Sequence, residues 1–333
     1  MPDLNRRTFV IGTAAATLSG RLFAQPSSAP LPIRIASNQG TENAALQQLM
    51  TERGFARRLG LEIALVESGA IEGPIEALEA GRADVCMISA YAGVLPAIEA
   101  GKPVRLIGSA MQLPALAVCS ANDSLRTVRD LAGRRIGIGE TDGLLHLVML
   151  ALLRHHGMPS TAAEFVTVGS SEQVFRAVAA GAVDAGPCGV AALSDRRIHI
   201  LNGGALWDAL PEFTYQFAYA STAALATRSD AIARCLAAYT LLFRFVSSPR
   251  SRAAYLEARQ AVGGDMAEGQ AVWDFIQHVR PYAPMPGLSP AHVAYLQRLN
   301  VRVGLQRQVV PFDRVANLAP AAAAKRMLLS GLA

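Results

Sequence analysis

The segment Gly139-Glu140-Thr141-Asp142-Gly143 places a hydroxyl, two carboxylates and two glycines just ahead of an apolar run with helical character. A helix start leaves backbone N–H groups without partners and carries about half a positive charge. The N–H groups from Thr141 to Leu144 could therefore hold a carboxylate, sulfonate or phosphate without any lysine. Glu140 and Asp142 complicate such a site. Facing a ligand, they would repel an anion or demand a cationic group on it; facing away, they would only complement the dipole of the helix behind them. Thr141 also has a plainer possible role, as a helix cap.

Five further loops have similar chemistry. In the first half of the chain these are Asn38 to Asn43, Ser68-Gly69-Ala70 and Ser89-Ala90-Tyr91; in the second, Ser170-Ser171 and Pro187-Cys188-Gly189. Most offer hydroxyls, amides and backbone N–H groups. The expected contacts from the first half are Gln39, Asn43, Ser68, Ser89 and Tyr91, with Tyr91 as an aromatic wall. Those from the second half are Thr141, Asp142, Gly143, Cys188 and Gly189. Gln112 and Tyr215 join them at the two places where the chain is expected to cross between halves. Core packing is the plainer reading of the aromatic rings, and capping that of Ser89.

Other chemistries find no support. Gly137 to Gly143 spells G-x-G-x-x-x-G, one residue too long for a dinucleotide fingerprint, and the strand after it ends Val168-Gly169 without an acidic ribose ligand. No G-x-x-x-x-G-K-[ST] or H-E-x-x-H occurs, and the six histidines lack ligand spacing. Neither a cofactor nor a metal is expected.

These loops need elements to position them, and the chain repeats itself in supplying those elements. Glu76-Ala77-Leu78-Glu79-Ala80-Gly81-Arg82-Ala83-Asp84-Val85 is echoed by Phe175-Arg176-Ala177-Val178-Ala179-Ala180-Gly181-Ala182-Val183-Asp184-Ala185. Each reads as a helix end, a Gly stop, a short step and an Asp opening an apolar strand. Upstream of both lies strand, helix, strand, with continuous apolar runs that suit a parallel sheet covered on both faces. Two doubly wound α/β lobes are expected, with a cleft where the carboxyl ends of their strands face each other. Strands are read at 33–37, 62–66, 85–88, 104–108, 115–119, 134–138, 164–168, 185–188, 198–201 and 214–219. Helices are read from Asn43, at 74–80, 94–100, 124–131 and 143–156, and after Ser170 or Ser171 as a cap. From Ser229 the chain reads as helices 229–247, 251–261, 268–279 and 290–303, packed on the first lobe.

The 333 residues are enough for two cores, and 51% hydrophobic with 17% charged residues describes a globule. A net charge of +5, with no Lys/Arg run beyond two residues, excludes a nucleic-acid footprint. Residues 1–24 read as an export signal: Arg6-Arg7 precede a modest apolar stretch, and Leu22-Phe23-Ala24 offers a cleavage point. The arginine pair with Phe9 resembles a twin-arginine signal, although an ordinary secretory signal has the same parts. Cys86, Cys119, Cys188 and Cys235 lie in apolar runs and are expected as mostly free, buried thiols, though export would permit three disulfide pairings.

Met50 to Ile63, Leu131 to Ile138, the two Ala-Gly-x-x-Asp repeats and Phe245-Val246-Ser247-Ser248-Pro249 together resemble the NMT1/THI5-like family. These are periplasmic substrate-binding proteins of ABC importers, in the sulfonate/nitrate/taurine and thiamine-precursor branch. The resemblance spans roughly residues 31–320. It implies a type 2 periplasmic-binding-protein fold: lobe I from 31–112 plus 218–333, lobe II from 113–217, and hinges near 110–113 and 215–219. It also implies a monomer in the periplasm that captures a small organic anion, of the sulfonate or carboxylate class, and passes it to an ABC permease and its ATPase. Two other readings share the fold. One is an enzyme, desulfinase-like or pyrimidine-precursor-related. Desulfinases use a Cys near the first strand, where this chain has Ser37-Asn38-Gln39, which leaves Cys188 as the thiol to test. The other is an exported solute sensor.

Overall fold

Short apolar strands alternate with helices because the strands inside each sheet are buried on both faces and need a helix on either side, whereas the edge strands are partly exposed. A computed structural model describes residues 29–38, 40–68, 73–90 and 93–331. The stretch read as an export signal, Gln39 and Tyr91 lie outside the described residues. The first half runs β1 (Leu31–Asn38), α1 (Thr41–Glu52), α2 (Phe55–Arg58), β2 (Leu61–Ser68), α3 (Gly73–Glu79), β3 (Val85–Ser89), α4 (Val94–Glu99) and β4 (Val104–Ser109). The second runs β5 (Leu116–Ser120), β6 (Arg135–Ile138), α5 (Leu144–His155), β7 (Glu164–Thr167), α6 (Ser171–Ala179), β8 (Gly186–Gly189), β9 (His199–Ala205) and α7 (Leu206–Ala209). Then follow β10 (Phe217–Ser221), α8 (Thr222–Thr227), α9 (Ser229–Val246), α10 (Arg252–Ala261), α11 (Met266–Val279), α12 (Pro290–Arg302), α13 (Phe312–Val315) and α14 (Ala319–Leu329).

The two lobes have the same strand order. In the first, the sheet runs β2-β1-β3-β10-β4, with β10 antiparallel to both neighbours. In the second, β7-β6 and β8-β5-β9 are joined by a parallel bridge from Ile136 to Ala185, and β5 is the antiparallel member. Each lobe thus receives one strand delivered by a crossing from the other. This is the mixed α/β, two-lobed architecture that the repeat predicts.

The Ala-Gly-x-x-Asp repeats have a structural cause. Gly81 and Gly181 take φ of 65° and 71°, the left-handed region where glycine ends a helix. The Asp three residues later then binds back to the lobe's first strand. Asp84 accepts from the Arg34 backbone at 2.9 Å and from its guanidinium at 2.7 and 3.2 Å, while Arg34 also donates to the Gly81 carbonyl. Asp184 accepts from the Arg135 backbone at 2.8 Å, and Arg135 donates to the Ala182 carbonyl. Both clamps sit at the amino ends of the strands, away from the cleft. They hold the fold together and touch no ligand loop.

Helix α9 covers one face of the first sheet and packs on α14, while α11 reaches the second lobe, where Phe275 meets Trp207 edge-on at 5.2 Å. The crossings are paired with each other: Ala110 N–H donates to the Gln216 carbonyl and Gln216 N–H to that of Met111. Three expectations need correction. The helix read at 124–131 is a single 3₁₀ turn, Val128–Leu131, closed by the Thr127–Asp130 capping box. The strand read at 214–219 begins only at Phe217, because Thr214 to Gln216 belong to the crossing. The short helices α7, α8 and α13, and the last helix α14, had no expectation at all. The four thiols are buried and free, with Cys119 and Cys188 beside each other.

Candidate functional site

By topology, the loops after β6, β7 and β8 gather at the carboxyl edge of the second sheet. Both Val168 and Gly169 donate N–H to the Ile138 carbonyl, which draws the β7–α6 turn against the β6–α5 turn. A Cβ on Gly139 would stand 3.2 Å from the Gly169 carbonyl, so glycine permits that approach. Gly189 lies beside Ser171, whose hydroxyl is 3.7 Å from where a Cβ would stand. Gly139, Thr141, Asp142, Gly143, Ser171 and Gly189 therefore share one rim.

Helix α5 starts on this rim with its donors open. Its N-cap is Gly143, which has no side chain to cap with, and its first turn carries no acid. The N–H groups of Leu144, Leu145 and His146 have no partner among the described residues. Thr141 is exposed and caps nothing, contrary to its plainer reading. The other long helices at the cleft differ. The first turn of α6 is closed by the Ser170–Gln173 capping box and carries Glu172; that of α1 contains Glu42. Of these helix starts, α5 alone lacks both a capping side chain and an acid in its first turn, although Glu140 and Asp142 precede it.

Asp142 takes φ of 66°, a left-handed conformation that Asp adopts more readily than most residues. Its N–H donates to His146 Nδ1 at 2.9 Å, so that nitrogen is the acceptor and Nε2 carries the proton of the neutral ring. The ring packs edge-on against Phe165. Burial lowers the His146 pKa from its ordinary value, and the nearby Asp142 carboxylate only partly offsets this. The unfolded chain therefore binds the proton first, and this group erodes stability as pH falls below about 6.5. His146→Asn keeps an acceptor for the Asp142 N–H. Its melting temperature should decline less between pH 7 and 5 than that of the wild type. Equal declines would contradict the assignment.

On the first lobe, Glu42 is the organising residue. Its carboxylate accepts from Tyr255 at 2.5 Å, Arg259 at 2.8 Å and Tyr282 at 3.5 Å. Arg259 is 3% exposed and its Nε has no partner among the described residues. Burial, together with the Glu42 charge, raises both tyrosines well above their ordinary pKa. This knot ties the start of α1 to α10 and to the segment after α11. Sequence reasoning missed Tyr255, Arg259 and Tyr282; the one local signal is that Tyr255 and Arg259 are four apart, on one helix face.

The remaining expected contacts divide. Asn43 is half-buried in the first turn of α1. Ser68 donates to the Ser37 carbonyl at 3.2 Å and packs against Gly73. Gln112 is half-buried, its N–H held by the Pro281 carbonyl at 2.7 Å. Tyr215 is half-buried where the two cores meet, and desolvation pushes its hydroxyl up to about 12. Ser89 is 2% exposed and accepts from Tyr219 at 3.3 Å, so its hydroxyl serves the first lobe's core. Cys188 is also misplaced by the sequence reading. It is fully buried mid-strand opposite Ala117, its Sγ 3.6 Å from the Gly186 carbonyl, and reaches no cleft. Among the described residues no three His, Cys, Asp or Glu side chains gather as a metal site.

The family model described as NMT1/THI5 like matches residues 48–240, more than half of the chain. No curated protein matches it in sequence. Among solved structures, it is similar to the periplasmic aliphatic sulphonate binding protein SsuA from Escherichia coli. That match has a TM-score of 0.70 at 19% identity, covering 86% of this chain and 92% of the other. The alkanesulfonate-binding protein SsuA from Xanthomonas axonopodis pv. citri, bound to MOPS, matches at 0.66 and 21%, covering 89% and 98%. The desulfurization enzyme DSZB matches at 0.60 and 15%, covering 90% and 99%. Identities this low establish the shared fold alone.

Proposed function

Since the chain belongs to the NMT1/THI5-like family, we propose that it is a solute-binding protein that captures a small organic anion between its lobes. The observation that carries this reading is the uncapped start of α5, with its free N–H groups beside Thr141, Ser171 and Gly189. A sulfonate or carboxylate accepts several such bonds at once. The opposite wall would come from Asn43, Ser68, Gln39 and Tyr91, with Gln112 and Tyr215 at the crossings. Residues 31–112 with 218–333 would move against 113–217, ligand contacts from both sides favouring the closed state. The export signal would deliver it to the periplasm as a monomer, by the twin-arginine route, to serve an ABC permease and its ATPase.

Binding is favoured over catalysis because the cleft rim gathers backbone donors and no described thiol reaches it. The segment Ser37-Asn38-Gln39 at the first strand, where resemblance to desulfinases would put a cysteine, has none, and Cys188 is buried, its neighbour Cys119 held far up by that contact and burial. A thermal-shift screen of alkanesulfonates, carboxylates, nitrate, polyamines and pyrimidines tests the reading. At a thousandfold excess over its dissociation constant, a ligand adds about 4 kcal/mol. For a chain of this size the melting temperature should rise by about 8 °C. A strong hit among the polyamines, with none among anions, would overturn the anion assignment.

A further inference from the structure

Two adjoining hollows open at the far end of the first lobe, at the start of edge strand β4. They lie at the amino ends of the parallel strands, opposite the cleft. One, of about 440 Å³, is bounded by the end of α4, the start of β4 and the segment 307–314. The other, of about 530 Å³, shares Arg105 and Thr222 with it and runs along α13.

The first hollow is lined by four cationic side chains, Lys102, Arg105, Arg307 and Arg314, and one carboxylate, Glu99. Glu99 is occupied: it accepts from the backbone N–H groups of Arg307 and Gln308 at 3.0 to 3.1 Å, which ties that segment to α4. Lys102 pairs with Glu79 at 2.9 Å, outside the hollow, and Arg105 donates to the Val104 carbonyl at 2.8 Å. The guanidinium groups of Arg307 and Arg314 meet no carboxylate among the described residues. Asp313 adds one negative charge, in the neighbouring hollow. The cavity keeps an excess of positive charge that the chain does not neutralise.

Like charges held around a concave surface raise the local concentration of counter-ions. Planar guanidinium forks match the paired oxygens of phosphate and carboxylate groups, and a hollow of this size admits a small ligand. We propose that this hollow binds a small polyanion of the phosphate class, independently of the interlobe cleft. Charge and the paired oxygens are what it recognises. Pyrophosphate, with more charge and two phosphoryl groups, should bind more tightly than inorganic phosphate.

The test is a calorimetric titration of inorganic pyrophosphate into the full chain, at low ionic strength and again at about 150 mM salt. The expected result is saturable binding at one site, weaker in salt. Replacing both exposed arginines, as the double variant R307Q/R314Q, should weaken it about tenfold. Their side chains make no hydrogen bond or ion pair among the described residues, so melting should be unchanged. Leu144→Pro, which alters only the cleft, should leave pyrophosphate binding as it was. The proposal fails if no saturable heat appears, if the double variant binds as tightly as wild type, or if Leu144→Pro abolishes binding and thereby places pyrophosphate in the cleft.

Discussion

Leu144→Pro will weaken anion binding about ten- to a hundredfold while leaving the protein folded. Position 144 is the first residue of α5, where proline is well tolerated because that N–H has no partner within a helix. Gly143 before it is already extended, with φ of −74° and ψ of 175°, as a residue preceding proline prefers. The substitution thus deletes one donor from the proposed anion site without breaking the helix. Its cost to stability is the packing lost from a half-buried leucine, on the order of 1 kcal/mol. Leu144→Ala is the matched control, since it loses the same packing and keeps the N–H. Calorimetric titration of both variants with the anion found by thermal shift separates the effects. If the two bind alike, the N–H groups of α5 do not hold the ligand.

Asp84→Ala will destabilise the protein by about 3 kcal/mol, lowering its melting temperature by about 6 °C. The Asp84 side chain is 3% exposed and accepts three bonds from Arg34, with Arg228 at 3.6 Å. Alanine would leave the Arg34 backbone N–H unpaired beside a closed sheet and its guanidinium with only the Gly81 carbonyl. Burial alone would push the Asp84 carboxyl up; the bonds from Arg34 and the charges of Arg34 and Arg228 outweigh it and hold it below its ordinary value. Its contribution is therefore complete above about pH 4 and is lost as pH falls through the lower, folded value. Asp184→Ala should cost less, because Asp184 is half-buried and accepts only the Arg135 backbone bond. Urea denaturation of the two variants checks the order. A loss below about 1 kcal/mol for Asp84→Ala would mean that the clamp is dispensable.

The Asp84 and Asp184 pair also marks how far the sequence could be read. Their spacing from Gly81 and Gly181 is local and repeats, so the duplicated lobe was legible. Their partners are not local: Arg34 and Arg135 lie on other strands, 50 and 49 residues away. The Glu42 knot is more distant still, reaching Tyr255 across 213 residues and Tyr282 across 240. Nothing in a helical or strand period reports such contacts. Cys188 failed for a different reason. In a sheet covered on both faces, inward and outward positions are equally apolar, so a strand's end does not reveal which residue leaves the core. The 214–219 run alternates like a strand, yet its first three residues serve the crossing instead of a sheet. By contrast, Gly139, Thr141, Gly143 and Gly189 were legible because loop position alone puts them on the rim.

A crystal structure of the protein grown with the anion found by thermal shift tests the central claim most directly. The account predicts that anion between the lobes, its charged group within hydrogen-bond reach of the N–H groups of residues 144–146 and near Thr141. An anion found only in the arginine-lined hollow of the first lobe, or a cleft left empty under saturating conditions, would contradict it.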